Sequence, residues 1–206
     1  PTSWEQPILT GEVTGLGAVR VLEAVRQVCP DARLYQASSS EMYGFSEHRV
    51  QDEHTPFHPA SPYAAAKVYA HHMAVHYREA YGMFVVAGIL FNHESPRRAP
   101  QFVSRHIAMG VAAVRRGEAR TLPLGNLASR RDWGWAPDYV RAMVTMMSRD
   151  VAEDFVVASG ESHSVREFAE LAFALAGLRA EDHVVDERAR HRPADIPALV
   201  GNAARA

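Results

Sequence analysis

Three short apolar runs, set apart by stretches of helical periodicity, constrain this chain more than any other feature. They are Arg33–Ser38, Met83–Leu90 and Phe155–Ala158. Each is short for a buried helix, and the second holds the strand-forming Val85, Val86 and Ile89 in a continuous apolar run. Around them, apolar residues return on a helical period. The clearest case is Glu12–Val28, with Val13, Leu16, Val19, Leu22 and Val25, closed by Pro30. Ser61–Tyr81, Phe102–Arg116, Pro137–Ser148 and Ser164–Ala176 read the same way, the last with Ser164 and Glu167 spaced as a capping box. Strands that alternate with helices pair in parallel, because each helix serves as the return crossover. Strands at 33–38, 84–90 and 155–158 are therefore expected side by side in one parallel layer. Residues 1–10 read as irregular, and His183–Val185 as a last short strand.

Composition enters mainly to exclude. The 206 residues carry a net charge of −2 and are 47% hydrophobic, which suits one good globular core rather than a nucleic-acid surface. No apolar run approaches the ~20 residues of a membrane span, and no signal-peptide pattern opens the chain. The single cysteine, Cys29, leaves no intrachain disulfide and fits a reducing cytoplasm. His48, His54 and His58 sit in a polar, proline-bearing stretch, and His71, His72 and His76 follow on a helical one. No cysteine or matched carboxylate accompanies either set, so both read as solvated and no metal site is expected. Gly11, Gly15 and Gly17 do not make a phosphate loop, because no strand precedes them and Arg20 stands where the third glycine belongs. They read as small residues for helix packing.

The residues with chemical promise cluster after the expected strands, where open parallel sheets bind ligands. Ser38, Ser39, Ser40 and Glu41 leave the first strand. Ser61 and Pro62 then open a helix that puts Tyr63 and Lys67 one turn apart on one face. A lysine beside a phenol lowers the phenol's pKa and makes a general base of it; an ordinary surface pair has the same spacing. Phe91–Arg98 reads as a polar loop after the second strand, and Thr121–Asn126 as a turn. Arg131 offers the planar fork that suits a diphosphate, or an ion pair with Asp132.

Taken together, Ser39-Ser40-Glu41, Ser61-Pro62-Tyr63-x-x-x-Lys67, Leu90–Arg98 and Arg131-Asp132-Trp133-Gly134 resemble the extended short-chain dehydrogenase/reductases. Within them the match narrows to the GDP-mannose 4,6-dehydratase family, running from about Trp4 to the Arg192–Asp195 segment. The resemblance implies an α/β fold: a partial Rossmann-like parallel sheet with helices on both faces, plus a smaller C-terminal substrate-binding part. Residues 1–91 and about 130–160 would form the cofactor half, and about 92–129 and 161–206 the substrate part. It implies dehydration of GDP-mannose with NADP recycled in each turnover, in a cytoplasmic homo-oligomer (dimer or tetramer) with no nucleic-acid or membrane partner. Catalysis would fall to Ser39, Glu41, Tyr63 and Lys67. Ser38, Tyr63, Lys67, His93 and Arg98 would meet the cofactor, and Asn92, Arg105, Arg131 and Arg192 the substrate.

The sequence departs from that family in places. The glycine-rich strand–turn–helix that usually opens the fold is missing, so the chain is expected to be a piece of a longer one. Ser39 stands for the usual threonine, His106 for a lysine, Ala99-Pro100 for Gly-Glu, and Asp195 for a glutamate. Two other readings stay open: a reductase or epimerase of the same fold, which Glu41 disfavours, and a non-catalytic sugar-nucleotide-binding subunit.

Overall fold

The computed structural model describes residues 2–190, 194 and 196–206. The N-terminal stretch is not irregular: α1 (Thr2–Glu5) and α2 (Pro7–Thr10) are helical, and Pro7 sits where a first-turn N–H has no partner to lose. A π-helical turn, Gly11–Leu16, joins them to α3 (Gly17–Val28). Gly15 is the one glycine of the three that packs against another helix. A Cβ there would stand 3.2 Å from the Tyr69 ring, whereas Gly11 has nothing within 4 Å and Gly17 meets only Glu12 of its own helical stretch.

The chain continues through β1 (Leu34–Ser39), a 3-10 turn (Ser40–Tyr43), α4 (Pro62–Tyr81), β2 (Val85–Leu90), β3 (Asn92–Glu94) and α5 (Val103–Arg115). Then come β4 (Leu122–Leu124), β5 (Arg130–Trp135), α6 (Ala136–Ser148), β6 (Asp154–Val157), β7 (Ser162–Ser164), α7 (Val165–Leu175), β8 (Val184–Asp186) and β9 (Ala198–Leu199). The three expected strands are parallel neighbours in the order β1–β2–β6, with Leu34 opposite Val85 and Gly88 opposite Phe155.

The central strand explains the layering. Val85 packs with Leu22 of α3 and Ala74 and Tyr77 of α4, while Val86 and Leu90 pack with Tyr139 and Met146 of α6. Alternate side chains thus reach opposite faces, and each face is covered by helices. Val85, Val86 and Ile89 are fully buried, worth about 1.5–3 kcal/mol apiece over exposure.

A second core gathers Ile107, Val111, Leu122, Leu124 and Phe173 from α5, β4 and α7. Two segments read as loop and turn contain strands here. Asn92–Glu94 pairs in parallel with Trp133–Trp135, and Leu122–Leu124 with Val184–Asp186. Three-residue strands carry too few residues to show a period, and only pairing reveals them. β5 also pairs with β7 and β9, and its Asp132 is wholly buried. That carboxylate accepts from Ser159 N (2.8 Å) and Oγ (2.6 Å), Gly160 N (2.9 Å) and Gly201 N (3.2 Å), joining β5 to the chain beyond β6.

Candidate active site

The start of α4 is built as its sequence dictates. Ser61 is extended and its Oγ accepts from Ala64 N at 3.1 Å, Pro62 takes the first turn, and Gly82 ends the helix at φ 66°. Tyr63 and Lys67 consequently project from the first and second turns toward the C-terminal end of β1. Lys67 Nζ donates to the Ala37 carbonyl at 2.8 Å. With Gln36 and Ala37 the two line a cleft of about 440 Å³, whose other wall includes Val13, Thr14 and Gly17.

The turn after β1 brings a carboxylate to the same place. Ser39 is extended, its Oγ accepts from Glu41 N at 3.3 Å, and Met42 and Tyr43 are completely buried beneath. The turn is strapped to residue 58: His58 N donates to Met42 O, and Phe45 N to His58 O, both at 3.1 Å. The Tyr63 phenol then has three site residues around it. Ser39 and Arg98 favour its ionised form, and the negative charge of Glu41 opposes it.

The lowered phenol pKa expected from the lysine is not what the structure holds. Burial above all pushes Tyr63 up, the nearby Ser39 hydroxyl and Arg98 pull it down, and Glu41 pushes it up again. The Lys67 ammonium is 5.7 Å from the ring centroid and spends a donor on Ala37 O, so it is no direct partner of the phenol oxygen. Burial also lowers the pKa of Lys67 itself.

The other expected site residues divide. His93 in β3 bonds the Phe91 carbonyl through Nδ1 at 2.9 Å and stacks on Tyr139 at 4.9 Å, which leaves Nε2 as an acceptor. Arg98 lies over Phe102 at 3.7 Å, with Nε 3.2 Å from Glu94 Oε2. Asn92 is half-buried in β3, and Arg105, half-buried on α5, has no hydrogen-bond or ion-pair partner among the described residues. Arg131 does not line the cleft. It is 7% exposed, and Nη1 donates to the carbonyls of Arg130 (2.7 Å) and Ile196 (2.8 Å), so it braces β5 internally. Ser38 is likewise withdrawn, its hydroxyl buried against His71 Nδ1 at 2.9 Å. Arg192 lies outside the described residues, as do Pro193 and Asp195 of its segment. His106, in the lysine's place, bonds the Pro123 carbonyl at 3.2 Å.

Two residues of the neighbourhood escaped the sequence reading. Glu94 holds both Arg98 and the Ser104 hydroxyl, tying β3 to α5. His71, read as solvated, is 4% exposed; its signal was the spacing of four from Lys67 and eight from Tyr63. No group of three or more His, Cys, Asp or Glu among the described residues could hold a metal, and none of their helices is long and apolar enough to cross a membrane.

Comparison with known proteins points one way. The family model described as GDP-mannose 4,6 dehydratase matches residues 1–206. GDP-mannose 4,6 dehydratase 1 of Arabidopsis thaliana is 47% identical over 208 residues, covering 99% of this chain and 57% of the relative. The Homo sapiens GDP-mannose 4,6 dehydratase is 52% identical over 166 residues, covering 80% of this chain and 45% of that one. The chain thus spans about half the length of the curated relatives it matches. Among solved structures, Thermus thermophilus UDP-glucose 4-epimerase in complex with NAD superposes with a TM-score of 0.85 at 27% identity, covering 98% of this chain and 65% of its own.

Proposed function

This chain belongs to the GDP-mannose 4,6 dehydratase family, and from that premise we propose that its protein removes water from GDP-mannose to give the 4-keto-6-deoxy sugar nucleotide. The observation that carries the reading is the convergence on one phenol. Ser39 from β1, Glu41 from the turn after it and Arg98 from beyond β3 all act on Tyr63 of α4. A base, a hydroxyl and a separate carboxylate are what an oxidation followed by an elimination needs.

Tyr63 takes the proton of the sugar's C4 hydroxyl while Ser39 holds that oxygen. Once C4 is a ketone, the C5 proton is acidic and Glu41 removes it. The same carboxyl, now protonated, passes its proton to the departing C6 hydroxyl, so one group serves as base and then acid. A bound nicotinamide dinucleotide would supply hydride acceptance at C4 and hydride return at C6, and the proton taken by Tyr63 balances the one that C5 regains in that last step. The cleft beside Tyr63 and Lys67 fits its ribose end: the Lys67 ammonium has three donors, and Ala37 O uses one. His93 and Arg98 are assigned to the nicotinamide side, with Ser38 offering only backbone. Asn92 and Arg105 are assigned to the sugar nucleotide, Arg105 as a cation unpaired among the described residues and suited to a diphosphate.

The finer parts rest on the sequence resemblance: NADP rather than NAD, a homo-oligomer, and a cytoplasmic setting. The division into a cofactor part (1–91, about 130–160) and a substrate part (about 92–129, 161–206) is supported by the separate core around Ile107 and Phe173.

The test is a single-turnover experiment on the full-length protein with GDP-mannose, following reduced-nicotinamide absorbance beside product. Glu41→Gln is expected to lose product by on the order of 10²–10⁴-fold while keeping the absorbance transient. Tyr63→Phe is expected to lose both. Equal loss of the transient in the two variants makes Glu41 a sugar-positioning residue instead, and refutes the division of labour.

A further inference from the structure

Helix α4 carries a third residue on the stripe of Tyr63 and Lys67. Residues four apart recur on successive turns of one face, and position 71 follows 67 as 67 follows 63. Each meets the end of β1: Tyr63 at Ser39, Lys67 at the Ala37 carbonyl, and His71 at the Ser38 hydroxyl, Nδ1 to Oγ 2.9 Å. Unlike the first two, His71 does not line the cleft. Its other nitrogen, Nε2, is 3.7 Å from Asp154 Oδ2 at the start of β6, and Arg78 Nη1 holds Asp154 Oδ1 at 2.9 Å. The Phe57 ring stands edge-on at 5.2 Å. The imidazole therefore reaches from α4 to both outer strands of the β1–β2–β6 sheet, directly beneath the residue that precedes Ser39.

We propose that His71 is a positioning residue for the reaction: its neutral imidazole accepts from the Ser38 hydroxyl at Nδ1 and turns Nε2–H toward Asp154, setting the depth of α4 against β1 and so the placement of Tyr63 beside Ser39. This rests on the reading of Tyr63 and Ser39 given above and deepens it. The geometry selects the tautomer. Asp154 takes only a donor, which assigns the proton to Nε2 and leaves Nδ1 as the acceptor for Ser38. The charged and titratable groups facing the ring are Asp154 from β6 and Arg78 and His72 from α4 itself. Arg78 already meets the Asp154 charge, so a second cation gains little there. Burial above all, with His72 and Arg78 against the opposing pull of Asp154, holds the pKa of His71 below its ordinary value. A depressed pKa means that acid protonates the unfolded chain first. Stability present above the ordinary value near ~6.5 is lost as pH falls toward the depressed one. Forced protonation would also turn Nδ1 into a donor and oblige the Ser38 hydroxyl to rotate away.

Four single variants of the full-length protein and one double variant test the proposal: His71→Leu, His71→Asn, Ser38→Ala, Tyr63→Phe and Ser38→Ala/His71→Leu. The Asn side-chain oxygen occupies the place of Nδ1. Misplacing a reacting group by about 1 Å costs up to ~10²-fold in rate. His71→Leu and Ser38→Ala are therefore expected to lower kcat by on the order of 10–100-fold with KM for GDP-mannose within about twofold. His71→Asn should recover most of the loss, and the Ser38→Ala/His71→Leu double variant should be no worse than the worse single one. With no substrate or cofactor, the ¹⁵N shifts of the His71 ring, assigned by comparison with His71→Asn, should show the neutral Nε2–H form from about pH 8 to below the ordinary ~6.5. An ordinary titration, or a proton on Nδ1, overturns the proposal. So does unchanged kcat in folded His71→Leu and Ser38→Ala beside an inactive Tyr63→Phe, which leaves the site reading standing. Should His71→Leu not fold, Ser38→Ala decides alone. Full activity in Tyr63→Phe overturns the site reading and this proposal with it.

Discussion

Gly44→Ala probes how firmly the turn that carries Glu41 is held. Gly44 ends that turn with φ 51° and ψ −120°, a conformation other residues adopt at a cost of about 1–3 kcal/mol. An added Cβ would also stand 1.8 Å from the His58 carbonyl oxygen and 2.7 Å from its carbon, so backbone must move. His58 is the strap of the turn, bonded at 3.1 Å to both Met42 O and Phe45 N. Losing the two bonds costs roughly 1 kcal/mol each. Strain and strap together give about 3–5 kcal/mol. Gly82→Ala supplies the control: φ is 66° there too, but nothing lies within 4 Å, so about 1–2 kcal/mol of strain is all that is expected. Urea midpoints of the two variants, read by tryptophan fluorescence with matched m-values, give the comparison. A difference below about 1 kcal/mol means residue 58 yields freely, and the claim that it fixes the turn is refuted. Because Glu41 lies three residues before Gly44, Gly44→Ala should also lower product formation while Gly82→Ala leaves it alone.

Two further substitutions read other parts of the scaffold. Ser164→Ala removes one arm of the capping box on α7, where Glu167 N donates to Ser164 Oγ at 3.1 Å and Ser164 N to Glu167 Oε2 at 3.0 Å. It should cost about 1 kcal/mol in chemical denaturation, and Ser164→Asp should restore most of it. Asp132→Asn keeps the size of the buried side chain but turns one acceptor oxygen into an NH₂ facing backbone N–H groups. Placed at Oδ2 the NH₂ meets two such groups, Gly160 N and Gly201 N; placed at Oδ1 it meets only Ser159 N, since the Ser159 hydroxyl can turn to accept, so the cheaper orientation should cost about 1–3 kcal/mol, and an unchanged melting temperature would falsify the account of Asp132 as the clasp of β5.

Much of this was legible because the local rules and the fold agree. Ser61-Pro62 begins α4 and Gly82 ends it; Ser164 and Glu167 form the box their spacing announces; the all-apolar Val85–Leu90 is the strand buried on both faces. What the sequence could not carry was the pairing of the shortest strands. β3 and β4 are three residues each and exist because Trp133–Trp135 and Val184–Asp186 lie alongside them. The helical turns of residues 2–10 run on into the π-helical turn Gly11–Leu16 and α3, and Gly15 of that turn permits close approach to α4.

The site shows the same boundary at the level of single atoms. Spacing placed Tyr63 and Lys67 on one face, but a shared helix face does not say what each head group meets across it. The Lys67 stem is long enough to reach either the phenol or the strand, and the carbonyl of Ala37 is the acceptor at 2.8 Å. Arg131 illustrates the point from the other side. A guanidinium beside Asp132 reads as a diphosphate fork or an ion pair, yet the strand's alternation does not decide where a long side chain ends. Arg131 turns to the carbonyls of Arg130 and Ile196, and Asp132 to Ser159, Gly160 and Gly201. Buried backbone groups without a partner are costly enough to claim charged side chains for themselves. His71 follows from that rule as well. Asp154 enters the edge of β6 under α4 with Arg78 already bound to it, and an imidazole that can donate on one side and accept on the other satisfies both Asp154 and Ser38 without adding a charge. The polar residues that set the site's geometry are thus those one step behind the cleft, and their identities become readable only once the strands beneath α4 are in place.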